Sequence, residues 1–403
     1  MHADPIAAFY DRHPYPPPVA ELDVGGLGDP RAARVDHHLI WPARPIESVR
    51  SVLVAGCGTS QAVRHALRRP TARVVGIDVS NASIEHTRAL AARYGVGNLD
   101  VHRLAIEDVG DLGEHFDHVV CTGVLHHLPD PPTGLRALRA VLAPGGAITL
   151  MVYAPYGRAG VYMLQDYCRR LGVGTSASEL ADLVATLREL PLGHPLRRLL
   201  RDTRDFADDD ALADALCNPR DRAYSVPELL ELVDGAGLRF GRWVRQAPYL
   251  PDCGTMSETP HAARIAALDA PEQHALMELY RGTITQHTAI LFDADDTTSG
   301  MLDFGAGSIE RWVPIRVPSA VAVEERLPPG AAAALINRAH RDTDLVLFAD
   351  RRQAAIFRSI DGRRTIGELG PDAAAIIERL WRHDLVVCDL TNSNTSARTE
   401  KPR

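Results

Sequence analysis

VLVAGCGTSQ, residues Val52 to Gln61, is an apolar run that breaks on two glycines one residue apart and then enters a helical pattern. Four consecutive apolar positions read as a buried strand, and QAVRHALRR (Gln61 to Arg69) reads as the helix after it. Working outward, RVVGIDVS is a second strand, SIEHTRALAARYG a helix and LDVHRLAI a third strand. FDHVVCTGV is a fourth strand, TGLRALRAVLAPGG a helix ending at glycine, and AITLMVYA a fifth strand. Apolar strands alternating with amphipathic helices imply an α/β fold, a doubly wound and mostly parallel sheet with helices on both faces.

At the first strand–helix junction, Gly56 and Gly58 let the backbone turn tightly and come close to a ligand. The helix that follows offers free amides at its start. Asp78 ends the second strand, which the fold places beside the glycine turn, where a carboxylate accepts two ribose hydroxyl protons. The pair reads as an adenosine site. A dinucleotide and S-adenosylmethionine are the two candidate cofactors. Dinucleotide sites prefer a third glycine where Gln61 stands, and no basic residue directly follows Asp78 to hold a ribose phosphate. Both details lean away from nicotinamide cofactors.

With these motifs in order, Ser48 to Asp293 resembles the class I S-adenosylmethionine-dependent methyltransferases. VLVAGCGTSQ resembles that family's glycine motif, VVGIDVS its ribose motif, FDHVVCTGVLHHLPDP its fourth-strand motif and LRALRAVLAPGGAITLMVY its fifth-strand unit. The resemblance implies a seven-stranded Rossmann-like sheet, with TITQHTAILFD as its antiparallel last strand, and S-adenosyl-L-methionine as cofactor. It implies that Gly56, Cys57 and Gly58 line the methionine part, that Asp78 binds the ribose, and that Val79 packs on the adenine. Ile106 and Glu107 flank the adenine, with Asp108 as competitor, and Cys121 and Thr122 sit near the sulfonium. Val54 stands where the family often has an acidic residue, so this loop offers no carboxylate to the cofactor's amino group.

His126 and His127 follow the fourth strand, where a methyl acceptor enters. A histidine there can take a proton from an acceptor, so both are candidate catalytic residues; a capping or packing role is the alternative. Methyl transfer needs chiefly an aligned acceptor lone pair and a dry site. Two segments are candidate lids: YDRHPYPPP, an irregular proline run in which Tyr10 and Tyr15 cover the cofactor and Arg12 meets its carboxylate, with an arm packed on the sheet as the alternative, and an insertion beginning APYGRAGVYMLQDYCRR. In the latter, Tyr153, Tyr156, Arg158, Tyr162 and Gln165 are candidate acceptor contacts, with a packed cap helix as the alternative. Arg222, Tyr224, Arg242, Trp243, Arg245, Gln246 and Tyr249 form further basic and aromatic clusters, read as solvated faces in preference to a site for an anionic acceptor or RNA.

The expected organisation is an amino-terminal arm (1–47), a methyltransferase domain (48–295) with a helical insertion at 155–225, a small α+β module (301–390) and a disordered tail (391–403). The module resembles winged-helix or peptide-chaperone units and reads as an interaction or regulatory domain, a candidate for homodimerisation. The chain has 403 residues and a net charge of −8, which argues against nucleic acid as partner. No apolar run is long enough to span a bilayer and no signal core begins the chain, so no membrane and a cytoplasmic location are expected. Of 44 basic residues only Lys401 is lysine, which excludes Schiff-base chemistry and a phosphate-loop lysine. Six cysteines with no CxxC pair suggest neither a zinc knuckle nor a disulfide framework. The expected function is methyl transfer to a small-molecule acceptor. The rival is a non-catalytic regulatory protein on the same scaffold.

Overall fold

Short runs of Val, Leu and Ile bounded by turn residues build the centre of the molecule, because such runs can be buried on both faces of a sheet. The computed structural model describes residues 5–202, 208–297, 299–300, 302–305 and 309–391. The strands Ser51–Ala55 (β1), Arg73–Asp78 (β2), Leu99–Arg103 (β3), Phe116–Thr122 (β4), Leu142–Tyr153 (β5), Leu238–Trp243 (β6) and Gln286–Asp293 (β7) form one sheet. Their order is β3-β2-β1-β4-β5-β7-β6, and the pairings from β3 through β5 are parallel. This is the seven-stranded, mostly parallel, doubly wound sheet expected from the motifs. Ala55 lies opposite Ile77 and Val54 opposite Val120, so β1, β2 and β4 end side by side. Leu53, Val54, Val75, Ile77, Val119 and Ile148 are wholly buried.

Helices Gln61–Arg68, Asn81–Arg93 and Pro131–Ala140 follow β1, β2 and β4. Ser80 and Asp130 cap the latter two, accepting from the amides of Ser83 and Thr133. The fourth-strand helix ends at Ala140, earlier than the sequence suggested. Leu142 to Tyr153 is all strand, and the proline–glycine turn is a bulge in it, with Phe116 facing Leu142 but His118 facing Ala147. Gly145, at φ +71°, supplies the left-handed residue that the bulge requires.

The chain divides into two compact units. One comprises Met1–Gly25, Arg50–Leu238 and Gly282–Thr288; the other comprises Gly26–Val49, Arg239–Arg281 and Ala289–Arg403. In the first unit, helices Ala159–Leu171, Ala177–Arg188 and Asp209–Cys217 bury Val161, Leu164, Leu180, Leu183, Leu212 and Leu216 together. Phe9 joins that cluster from helix Pro5–Arg12. Tyr10, Asp11 and Arg12 are therefore the last turn of a helix, not part of an irregular proline run; the prolines begin just beyond it.

In the second unit, helix Pro30–Ile40 puts Val35 against Ile315 and Val387. Strands Val313–Arg316 (β8), Ala320–Val323 (β9), Ala333–Asn337 (β10), Val346–Ala349 (β11) and Val386–Asp389 (β12) form two small antiparallel sheets, β11-β10-β9 and β12-β8. Helices Arg351–Ser359 and Ala373–Arg382 accompany them. The cluster around Arg242 is not a solvated face. Arg242 is buried and paired with Asp384 at 3.3 Å, Trp243 stacks on Tyr249 at 4.3 Å, and Gln246 donates to the Trp381 carbonyl. Burial of apolar ring area outweighed the pull of the charge toward water, because Asp384 accompanies the guanidinium inside. The tail expected to be disordered lies, from 392 onward, outside the described residues.

Candidate active site

All the residues discussed here belong to the first unit. Gly56 (φ +70°) and Gly58 (φ +52°) both occupy the left-handed region, which accounts for glycine at each. The space they leave is used by protein. A β-carbon on Gly56 would lie 2.3 Å from Val124 Cγ2, and one on Gly58 would lie 2.9 Å from the Tyr15 carbonyl oxygen. The amino-terminal segment thus lies directly on the turn. Thr59 Oγ1 donates to the Pro16 carbonyl at 2.8 Å, and Ser80 Oγ donates to Asp11 Oδ1 at 2.8 Å.

Asp78 meets the turn as the motif spacing implied. Its Oδ2 accepts from the Gly58 amide at 2.9 Å and its Oδ1 from the Ser80 amide at 2.9 Å. Burial pushes its pKa up, and the two amides oppose that shift. Each oxygen keeps a lone pair for a further donor. Val79 follows, half-buried. Ile106 is buried and Glu107 half-buried at the start of a 3₁₀ turn after β3, with Asp108 exposed beside them. Cys57 and Cys121 are wholly buried; burial pushes both thiols up, Cys121 to about 12, so they are neutral apolar filler and not nucleophiles. Thr122, at the end of β4, accepts from Gln61 Nε2. The candidate cofactor residues therefore gather at the ends of four neighbouring strands, β3, β2, β1 and β4.

Past β4, His126 is fully buried and neither ring nitrogen has a hydrogen-bond partner. Burial holds its pKa well below the ordinary range, with the His127 ring and Arg158 acting in the same direction. The His127 Nδ1–H donates to the Arg220 carbonyl at 2.6 Å, which leaves Nε2 as an acceptor. Tyr153, at the end of β5, lies 4.3 Å from the His126 ring between centroids, and the Arg158 guanidinium stacks over Tyr153 at 3.6 Å. Arg158 Nε, the Tyr162 and Tyr224 hydroxyls and Asp221 Oδ1 are also buried without partners. So many orphaned polar atoms in one place are costly unless a ligand or water satisfies them.

The structure separates other candidates from this cluster. Tyr156 is exposed, Arg222 is exposed, and Arg12 bonds to the Ala8 carbonyl of its own helix. Tyr10 is half-buried; its hydroxyl donates to Asp214 Oδ1 at 2.8 Å and accepts from Asn218, while its ring approaches His127 at 6.1 Å. Asp214, Asn218 and Asp221 were missed by the sequence reading. Asp221 stands directly before the Arg222–Tyr224 cluster, but nothing in its spacing distinguishes it from a surface carboxylate.

Glycines in left-handed turns, an acidic strand end and an apolar third-strand exit are the features of an α/β protein of the nucleoside-binding class. Residues 53–148 match the family model described as a methyltransferase domain. The protein syc1184_c of Synechococcus sp. is 31% identical over 291 residues, which cover 70% of this chain and 69% of that one. A ubiquinone biosynthesis O-methyltransferase of Neisseria meningitidis is 33% identical over 100 residues, 25% of this chain; the match spans 42% of that enzyme's length. The fold is also that of PKMT2 from Rickettsia typhi, at TM-score 0.63 and 15% identity, covering 91% of this chain and 77% of that one; PKMT2 is also known in complex with AdoHcy (TM-score 0.60). The chain belongs to the S-adenosylmethionine-dependent methyltransferase family, and S-adenosylmethionine is its cofactor.

Proposed function

We propose that this enzyme transfers the methyl group of S-adenosylmethionine to a small molecule bearing an oxygen, nitrogen or carbon nucleophile, by direct displacement. The observation that carries the reading is the enclosure of unpartnered His126 beside the ends of β4 and β5. An acceptor there is surrounded by buried polar atoms and shielded from water. Bound cofactor would supply an activated methyl sulfonium. Gly56, Cys57 and Gly58 would hold its methionine part, Asp78 its ribose, Val79, Ile106 and Glu107 its adenine, and Cys121 and Thr122 the sulfonium end. His126 and His127 line the place where the acceptor enters and orient it through their ring nitrogens. Tyr153 and Arg158 position the rest of the acceptor. The cytoplasm is the compartment in which we place the reaction.

The test is where a transferred label ends up. Full-length enzyme is incubated with methyl-tritiated S-adenosylmethionine and a cell extract, and the products are separated by mass. The label is expected in low-mass organic products. Label confined to protein or nucleic acid would overturn the small-molecule assignment.

A further inference from the structure

His126, His127 and Asp221 each present one donor atom, and these atoms all lie within 4.8 Å of one another. Two observations set the cluster apart from an ordinary polar core. Both nitrogens of fully buried His126 and the Oδ1 of Asp221, whose side chain is 3% exposed, have no hydrogen-bond partner. Two further atoms of the cluster, one on His127 and one on Asp221, are held from outside. His127 Nδ1 is fixed by the Arg220 carbonyl at 2.6 Å, and Asp221 Oδ2 accepts from Gln165 Nε2 at 2.8 Å. Contacts of that kind set the tautomer of a histidine and the orientation of a carboxylate, so that the remaining lone pairs converge.

We propose that His126, His127 and Asp221 bind one divalent transition-metal ion at the exit of β4, with coordination positions left open toward the methyl acceptor. Two imidazole nitrogens and one carboxylate suit zinc, iron, cobalt or nickel and not magnesium or calcium, which take oxygen donors. Bonds of about 2.0–2.2 Å place the donors of a tetrahedral site roughly 3.4 Å apart, so small side-chain rotations close this set on an ion. Arg158 lies beside the cluster. Its terminal nitrogen is 3.9 Å from Asp221 Oδ2, the oxygen already engaged by Gln165, and its guanidinium lies over Tyr153. A divalent ion added to Asp221 and Arg158 leaves the cluster two charges positive. The acceptor that fits is therefore one offering an ionisable oxygen, such as a phenol or enol, as the open-position ligand. This last step rests on the acceptor end assigned under Proposed function; metal binding itself does not.

The experiment uses the full-length protein stripped with a chelator, desalted, and titrated with zinc chloride, with magnesium chloride in parallel. Cobalt(II) serves as the spectroscopic probe. The expected result is one zinc bound per chain, no magnesium bound at the same concentrations, and a cobalt absorption band that zinc abolishes. Asp221→Asn weakens zinc binding by more than roughly 100-fold, and Gln165→Leu, which removes only the outer contact, by about 10–100-fold. Absence of saturable zinc binding, or unchanged affinity in both variants, overturns the proposal. Circular dichroism of each preparation reports folding, and S-adenosylhomocysteine titrated into it separates the two readings. Nucleoside binding without zinc binding ends the metal proposal alone, and zinc binding without nucleoside binding ends the methyltransferase reading alone.

Discussion

Gly56 and Asp78 show how single residues build this site. Gly56 turns the chain at φ +70° where Val124 fills the place of a β-carbon, so alanine there meets both backbone strain and a clash. We expect Gly56→Ala to cost about 1–3 kcal/mol of stability. Urea denaturation measures it, and an unchanged midpoint would contradict the packing described. At this scale the glycine turn and Asp78 were legible in the sequence, because backbone handedness and a strand-end carboxylate each demand a particular residue type at a particular offset. Asp221 was not legible. Its approach to His126 and His127 depends on how the loop before Ser225 returns to β5, where the Tyr224 amide donates to the Tyr153 carbonyl and the Arg222 amide to the His126 carbonyl. That is a tertiary fact with no local signature.

At the scale of elements, the strands and helices of the sheet were readable from periodicity, and the amino-terminal helices were not. Helix Pro5–Arg12 is eight residues long and abuts a proline run, too short for a periodic pattern to stand out. Helix Pro30–Ile40 did carry a start signal. Asp29 caps it, accepting from the Arg31 amide, and proline occupies its first position. The glycines and prolines around it masked that signal. Helix Pro5–Arg12 is tied down by Tyr10, whose hydroxyl serves Asp214 and Asn218 and has its pKa raised by burial and by Asp214. Tyr10→Phe leaves Asp214 short of a donor and should cost about 1–3 kcal/mol. If the arm covers the cofactor, the same variant raises KM for S-adenosylmethionine, read by steady-state kinetics. Unchanged stability together with unchanged KM would show that the arm is ornamental to both.

For the whole molecule, buried histidines set the acid limit. Burial holds the pKa of His65 down at about 3, that of His274 at about 4 and that of His340 at about 4. Each lies below the unfolded value of about 6.5, so unfolding takes up protons as pH falls from about 6.5 toward 4. Stability from these groups is complete above pH 6.5 and is lost on acidification through that window. Asp384, raised to about 6 by burial, and Asp78, also raised by burial, work the other way, but His126 and His383 are held low too, so five histidines stand against two carboxylates. The midpoint of thermal unfolding should fall by roughly 5 °C or more between pH 7 and pH 5. A midpoint that is flat or rises on acidification would contradict the buried, neutral state of these rings. Composition could not have revealed this, since the sequence shows 17 histidines without saying which are enclosed.

The central claim is that the Gly56–Gly58 turn and Asp78 together hold the nucleoside of S-adenosylmethionine. Calorimetric titration of S-adenosylhomocysteine into the wild-type protein and Asp78→Ala tests it most directly. The account predicts saturable binding at one site per chain, weakened by about 1–3 kcal/mol in the variant, the cost of ribose hydroxyls left without their charged acceptor. Equal affinity in the two folded proteins would place the ribose elsewhere and contradict it.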